Sequence, residues 1–150
     1  MTRGRVDSRT FDRMFLGVSI TLVAFCVYPW GDVQDHAHWA SVRWIPFVTP
    51  PIAPIDILAN IGLFVPLGAA VSRILGPRVA VGLALALGLS FAGEAIQIFS
   101  HGRIPSTTDI VSNLVGLVAG SLFAQRRAST DIATSRALAL LDAASEETDA

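Results

Sequence analysis

The chain is poor in charge and has no lysine at all. Charged residues make up 15% of its 150 positions against 52% apolar ones, and its mean hydropathy is +0.56. A soluble domain of this length carries far more charge, so the composition excludes an ordinary water-soluble fold. With a net charge of −1 there is no basic excess to attract nucleic acid. The single cysteine, Cys26, sits inside an apolar run and reads as a small apolar residue. Because lysine is missing, every cation is an arginine, and arginine placement alone carries the orientation signal.

Four apolar stretches are present instead: Met14 to Trp30, Ile57 to Leu75, Val79 to Phe99 and Ile110 to Ala124. Each approaches the roughly 20 residues that cross a hydrocarbon core, the last only if Thr107 and Gln125 sit in the interface. The expected fold is therefore all-α, an integral membrane four-helix bundle. Its divisions are a tail over 1–13, a transmembrane domain over 14–125 and a tail over 126–150. A cleaved leader is the alternative for the first stretch, but its end at Val27-Tyr28-Pro29-Trp30 lacks small residues, so we read a retained helix. Arg3, Arg5, Arg9, Arg13, Arg73, Arg78, Arg126, Arg127 and Arg136 cluster in both tails and the second turn, whereas only Arg43 and Arg103 occupy the other two loops. By the positive-inside rule both termini are expected in the cytoplasm.

The chemistry lies in a pentad that occurs twice, Asp56-Ile57-Leu58-Ala59-Asn60 and Asp109-Ile110-Val111-Ser112-Asn113, each opening an apolar run. Residues four apart share a helix face, so each run begins with an Asp–Asn pair aimed one way, the Asn about 6 Å further along. On the third run Glu94 falls about 22 Å from the start, with Gln97 near the same end. Small residues share these faces: Gly116 and Gly120 follow Asp109 and Asn113, and Gly82, Ala86, Ser90 and Gly93 lead to Gln97, with Glu94 at the edge. The polar groups thus point between helices, where intramembrane ionisable residues normally go. Pro66 removes the backbone bond to Gly62 and is expected to bend the second helix. Plainer roles fit the same residues. Asp56 and Asp109 can cap helices, Asn60 and Asn113 can bridge helices for about 0.6 kcal/mol each, and Glu94 can pair with Arg103.

These residues resemble the VanZ-like family in three blocks. The first is Pro46-Phe47 followed by Asp56, Asn60 and Gly62-Leu63-Phe64-Val65-Pro66-Leu67-Gly68; the second is Glu94 with Gln97; the third is Arg103, Asp109, Asn113 and Gly116. Where the family often carries an Asn three residues before the Pro-Phe pair, this chain has Arg43. The resemblance implies a small, multi-pass protein of the bacterial inner membrane, with founding members linked to teicoplanin resistance. The ligand-binding set it leads us to expect is Asp56, Asn60, Glu94, Gln97, Arg103, Asp109 and Asn113.

Three kinds of activity suit that set. A binding site would take up a membrane lipid, a lipidated antibiotic or a lipid-linked envelope precursor from the outer leaflet. An enzyme would use Glu94 as the catalytic candidate among three carboxylates, with Arg103 gripping the phosphate of a carrier such as undecaprenyl phosphate. It lacks a clear nucleophile, since Ser100, His101, Ser106, Thr107 and Thr108 show no triad spacing. A proton-coupled transporter is the third, and needs a homo-oligomer because four short helices enclose little space. No cofactor and no metal centre is assigned.

In the loop from Gly31 to Ile55, Asp32, Asp35, His36 and His38 invite a metal reading, but a solvated loop is expected. Trp30, Trp39 and Trp44 read as interfacial anchors, and Pro46, Pro50, Pro51 and Pro54 as stiffeners before the second helix. In the C-terminal tail Ala133, Ala137, Leu140, Leu141 and Ala144 share one helical side, predicting a short amphipathic helix, and the acidic end at Glu146, Glu147 and Asp149 is expected to stay mobile.

Overall fold

The computed structural model describes residues 8–30, 33–48 and 53–148; Arg3, Arg5, Asp32, Pro50, Pro51 and Asp149 lie outside that set. The fold is all-α. Four α-helices, α1 (Ser8–Val27), α2 (Pro54–Leu75), α3 (Val79–Gln97) and α4 (Thr107–Thr148), are joined by loops, with two short 3-10 turns at Trp39–Ser41 and Gly76–Arg78. Among the described residues β-pairing is confined to two isolated bridges, Val33 with Ser100 and Arg43 with Ser106.

Helix ends differ from the apolar runs for local reasons. α1 is helical from Ser8, the first described residue and six before Met14, and its Asp12 pairs with Arg73 of α2 through Nη2–Oδ1 and Nε–Oδ1 contacts of 2.7 and 2.8 Å. α2 opens with Pro54 in its first turn, where a missing N–H costs nothing. It closes at Gly76, whose φ of +49° favours a residue without Cβ. α4 does not stop near Ala124: it runs 42 residues to Thr148 as one helix. Residues 121–148 contain neither Gly nor Pro, and their many Ala, Leu, Arg and Glu favour helix. The predicted separate tail helix is therefore the continuation of α4.

The dominant packing is α2 against α4. A methyl group placed on Gly68 would overlap the Leu117 carbonyl, one on Gly116 the Ile61 carbonyl, and one on Gly120 the Val65 carbonyl. The two helix backbones are thus in direct contact, the approach that the Gly116–Gly120 spacing predicts. Around this seam Val23, Phe64, Leu67 and Leu117 are fully buried, with Val71 and Ala86 beside them. α3 buries Gly82, Ala86, Ser90, Gly93, Glu94 and Gln97, the face read from the sequence. Gly93 lets Val27 of α1 lie directly against it.

Most of the remaining apolar surface faces outward. Met14, Val18 and Phe25 on α1, Val81, Leu85 and Phe91 on α3, and Val115, Leu122 and Phe123 on α4 are all exposed. A water-soluble monomer does not tolerate patches of that extent. Among the described residues three helical stretches are long and apolar enough to cross a membrane: Ser8–Val27, Pro54–Gln97 and Thr107–Leu141. The middle stretch holds α2 and α3 and folds back at Gly76, since its two ends, Asp56 and Gln97, line the same cavity.

Candidate functional site

The site forms where the N-termini of α2 and α4 meet the C-termini of α1 and α3. The loop ahead of α4 is tied to the long loop ahead of α2 by backbone bonds: Arg43 N–H donates to Pro105 O at 2.9 Å and Thr107 N–H to Arg43 O at 3.1 Å. The Thr107 hydroxyl donates to the Arg43 and Trp44 carbonyls, 3.0 Å each. Phe47, in the Pro46-Phe47 pair, has a φ of +61°, unfavourable for a bulky side chain. Its N–H donates to Thr108 Oγ1 at 3.0 Å, which anchors that turn on α4.

Ser106 caps α4: its hydroxyl accepts the Thr108 N–H at 3.2 Å. In a capping box the acid three residues on, here Asp109, would reach back to the cap's own N–H. Glu94 takes that N–H instead, its Oε2 accepting from Ser106 at 2.7 Å in a buried setting. Glu94 therefore closes the cap across helices, and among the described residues no ion pair joins it to Arg103. The substitution releases Asp109, whose carboxylate is hydrogen-bonded by the Asn60 side chain and lies within electrostatic reach of Asp56, Arg43 and Arg103. Asp56 does not cap α2 either, because the cap residue there is Ala53, and among the described residues no side-chain cap bond is made.

Two adjoining cavities result. One, of about 470 Å³, is lined by Arg43, Asp56, Asn60, Gln97, Arg103 and Asp109, among others. The other, of about 290 Å³, shares Asn60, Gln97, Arg103 and Asp109 with it and adds Glu94 and Asn113. All seven residues singled out from the sequence thus lie around one connected polar region. Two of them use one donor each on position. Gln97 Nε2 donates to Val27 O at 3.0 Å, and Arg103 Nη2 to Cys26 O at 3.2 Å, so both clasp the end of α1. Asn113 Nδ2 donates to Ser90 Oγ at 2.8 Å, while its buried Oδ1 has no hydrogen-bond partner among the described residues.

The expected ligand-binding set left out Arg43, Ser106 and Thr108, which also line this site. Ser106 carried a cap signal, Ser three residues before Asp, whereas Arg43 was marked only by its position three residues before the Pro46-Phe47 pair, because its place in the cavity depends on pairing between distant loops. The loop itself is not simply solvated, since Gln34 and His38 donate to Phe99 and Ile98. Trp30, Trp39 and Trp44 are exposed at this end, as interfacial anchors would be.

Comparison with curated proteins and with solved structures found no match. The model of the VanZ/LLP1 family matches residues 15–127, a span that contains all four helices' packed portions and the whole polar region. Together with the apolar helices this marks a membrane protein. The chain belongs to the VanZ/LLP1 family.

Proposed function

We propose that the chain crosses the bacterial inner membrane four times, with both termini in the cytoplasm, and that its polar cavities bind the head of a lipidated or lipid-linked cell-envelope molecule in the outer leaflet. Orientation rests on the arginines: the Arg73 and Arg78 end lies opposite the cavities, and Arg126 and Arg127 follow the packed part of α4. The observation that carries the binding reading is that Arg43 and Arg103 share one cavity with Asp56 and Asp109, drawn from four separate segments. Two guanidiniums suit a phosphate or carboxylate, and the carboxylates and amides suit sugar hydroxyls or amines. The unpartnered Asn113 Oδ1 adds an acceptor that a ligand donor would satisfy.

Binding is favoured over catalysis by what the hydroxyls do. Ser106 and Thr108 accept backbone N–H groups, and the Thr107 hydroxyl donates to carbonyls. Each holds a turn, and among the described residues no hydrogen bond joins one of these three hydroxyls to a carboxylate or an imidazole.

A lateral site of this kind favours teicoplanin, which carries an acyl chain, over vancomycin, which does not. The test compares growth inhibition by the two antibiotics in a sensitive bacterium making the chain or Glu94→Gln at equal membrane levels. Protection against teicoplanin alone, lost in the variant, supports the reading. Equal protection against both antibiotics, or none, contradicts the link to lipidated glycopeptides.

A further inference from the structure

The loop segment after residue 33 lies along the end of α3. Val33 bridges Ser100, Gln34 N–H donates to Phe99 O at 2.7 Å, and His38 N–H donates to Ile98 O at 2.8 Å. Gln34 and His38 thus bond adjacent carbonyls while the chain bends at Asp35 and His36 between them, and this bend brings the His36 and His38 rings together. The pairing sets them against His101, in the turn between α3 and α4. Ring centroids are 4.6 Å apart for His36 and His38, 4.0 Å for His38 and His101, and 5.5 Å for His36 and His101. One ring nitrogen from each lies within 4.8 Å of the others.

We propose that His36, His38 and His101 form a binding site for a divalent transition metal ion of the zinc type. Three imidazoles match the donor preference of Zn²⁺, Cu²⁺ and Ni²⁺, and not that of the oxygen-seeking Ca²⁺ or Mg²⁺. Bonds of about 2.0–2.1 Å in a tetrahedron place nitrogens about 3.3 Å apart, a closure that small rotations of the exposed His36 and His101 rings towards the half-buried His38 supply. Asp35 completes the arrangement: its Oδ1 lies 2.9 Å from His36 Nδ1. A carboxylate there fixes the imidazole's tautomer and leaves Nε2 to the metal. Three protein ligands leave the fourth position open to water or an incoming group. His101 stands two residues before Arg103 on one turn, whose Arg103 N–H donates to Ser100 Oγ at 3.2 Å. An ion held by His101 therefore braces the turn that carries Arg103 into the polar cavity. This site is separate from the carboxylates of that cavity, and it does not depend on the ligand proposed for them.

The test uses the full chain without a polyhistidine tag, in nanodiscs, stripped with chelator and titrated calorimetrically with Zn²⁺. The expected result is one ion per chain, with binding weakened at least tenfold in His36→Ala and in His101→Ala and unchanged in Glu94→Gln. Zn²⁺ should raise the melting temperature of the parent chain but not of the histidine variants, which should melt like the parent when metal-free and so are folded. Co²⁺ should give the intense visible bands of a tetrahedral nitrogen site. Absence of Zn²⁺ binding, binding that survives both histidine substitutions, or binding lost in Glu94→Gln instead would overturn the proposal.

Discussion

Replacing Glu94 separates structure from chemistry at the centre of the site. The carboxylate accepts the Ser106 N–H at 2.7 Å, and both residues are buried, 8% and 7% exposed. Glu94→Gln keeps an oxygen of the same reach, so the loss is at most the gap between a charged and a neutral hydrogen bond, about 1 kcal/mol. Glu94→Ala strands a buried N–H at the α4 cap, which costs about 1–3 kcal/mol. It also removes two buried carbons' worth of packing, which adds roughly 1–2 kcal/mol. At about 2–4 °C per kcal/mol for a chain of this size, Gln should lower the melting temperature by about 3 °C and Ala by about 10 °C. Thermal unfolding of detergent-purified protein followed by tryptophan fluorescence reads both values. If Gln destabilises as much as Ala, the cap bond is not what Glu94 contributes to stability, and the interhelical capping argument fails.

Other expectations follow from the same structure. Gly120→Ala sets a methyl against the Val65 carbonyl and should cost about 1–3 kcal/mol, beyond the roughly 1 kcal/mol that Ala gains in a helix. Gly88→Ala on α3 meets open space and should be neutral or stabilising, so thermal melting of the pair tests the α2–α4 contact. In a Cys26→Ser background, Ala40→Cys should react with a membrane-impermeant thiol reagent in intact cells, and Ala128→Cys only after permeabilisation; the reverse pattern would invert the proposed topology. Asp12→Asn breaks an ion pair with a half-exposed Arg73 and should cost less than about 1 kcal/mol by the same melting assay. Deleting the chain beyond Ala128, where the described side chains are all exposed, should leave the melting of the membrane part unchanged.

What could be read from the sequence was whatever obeys helical periodicity. The faces of α3 and α4 followed from small residues three and four apart, because only such positions let backbones touch, as Gly68, Gly116 and Gly120 do. The polar ends of α2 and α4 followed from the repeated Asp–Asn pair. Non-local pairing was not legible. Arg43 enters the cavity only because its backbone bonds Pro105 and Thr107, and no spacing along the chain encodes that. The length of α4 was underestimated because hydropathy falls after Ala124 while helix propensity does not. Asp109 was legible as a first-turn acid, but its release from capping depended on Glu94, fifteen residues earlier and on another helix.

The central claim is that Arg103 and its neighbouring carboxylates hold the head of a lipid-bearing ligand. Native mass spectrometry of the chain released from nanodiscs, after incubation with undecaprenyl phosphate, teicoplanin or vancomycin, addresses it directly. The account predicts that a lipid-bearing ligand stays bound, that Arg103→Gln and Asp109→Asn each reduce the bound fraction severalfold, and that vancomycin is not retained. Retention of no lipid-bearing ligand, or retention indifferent to both substitutions, would contradict it.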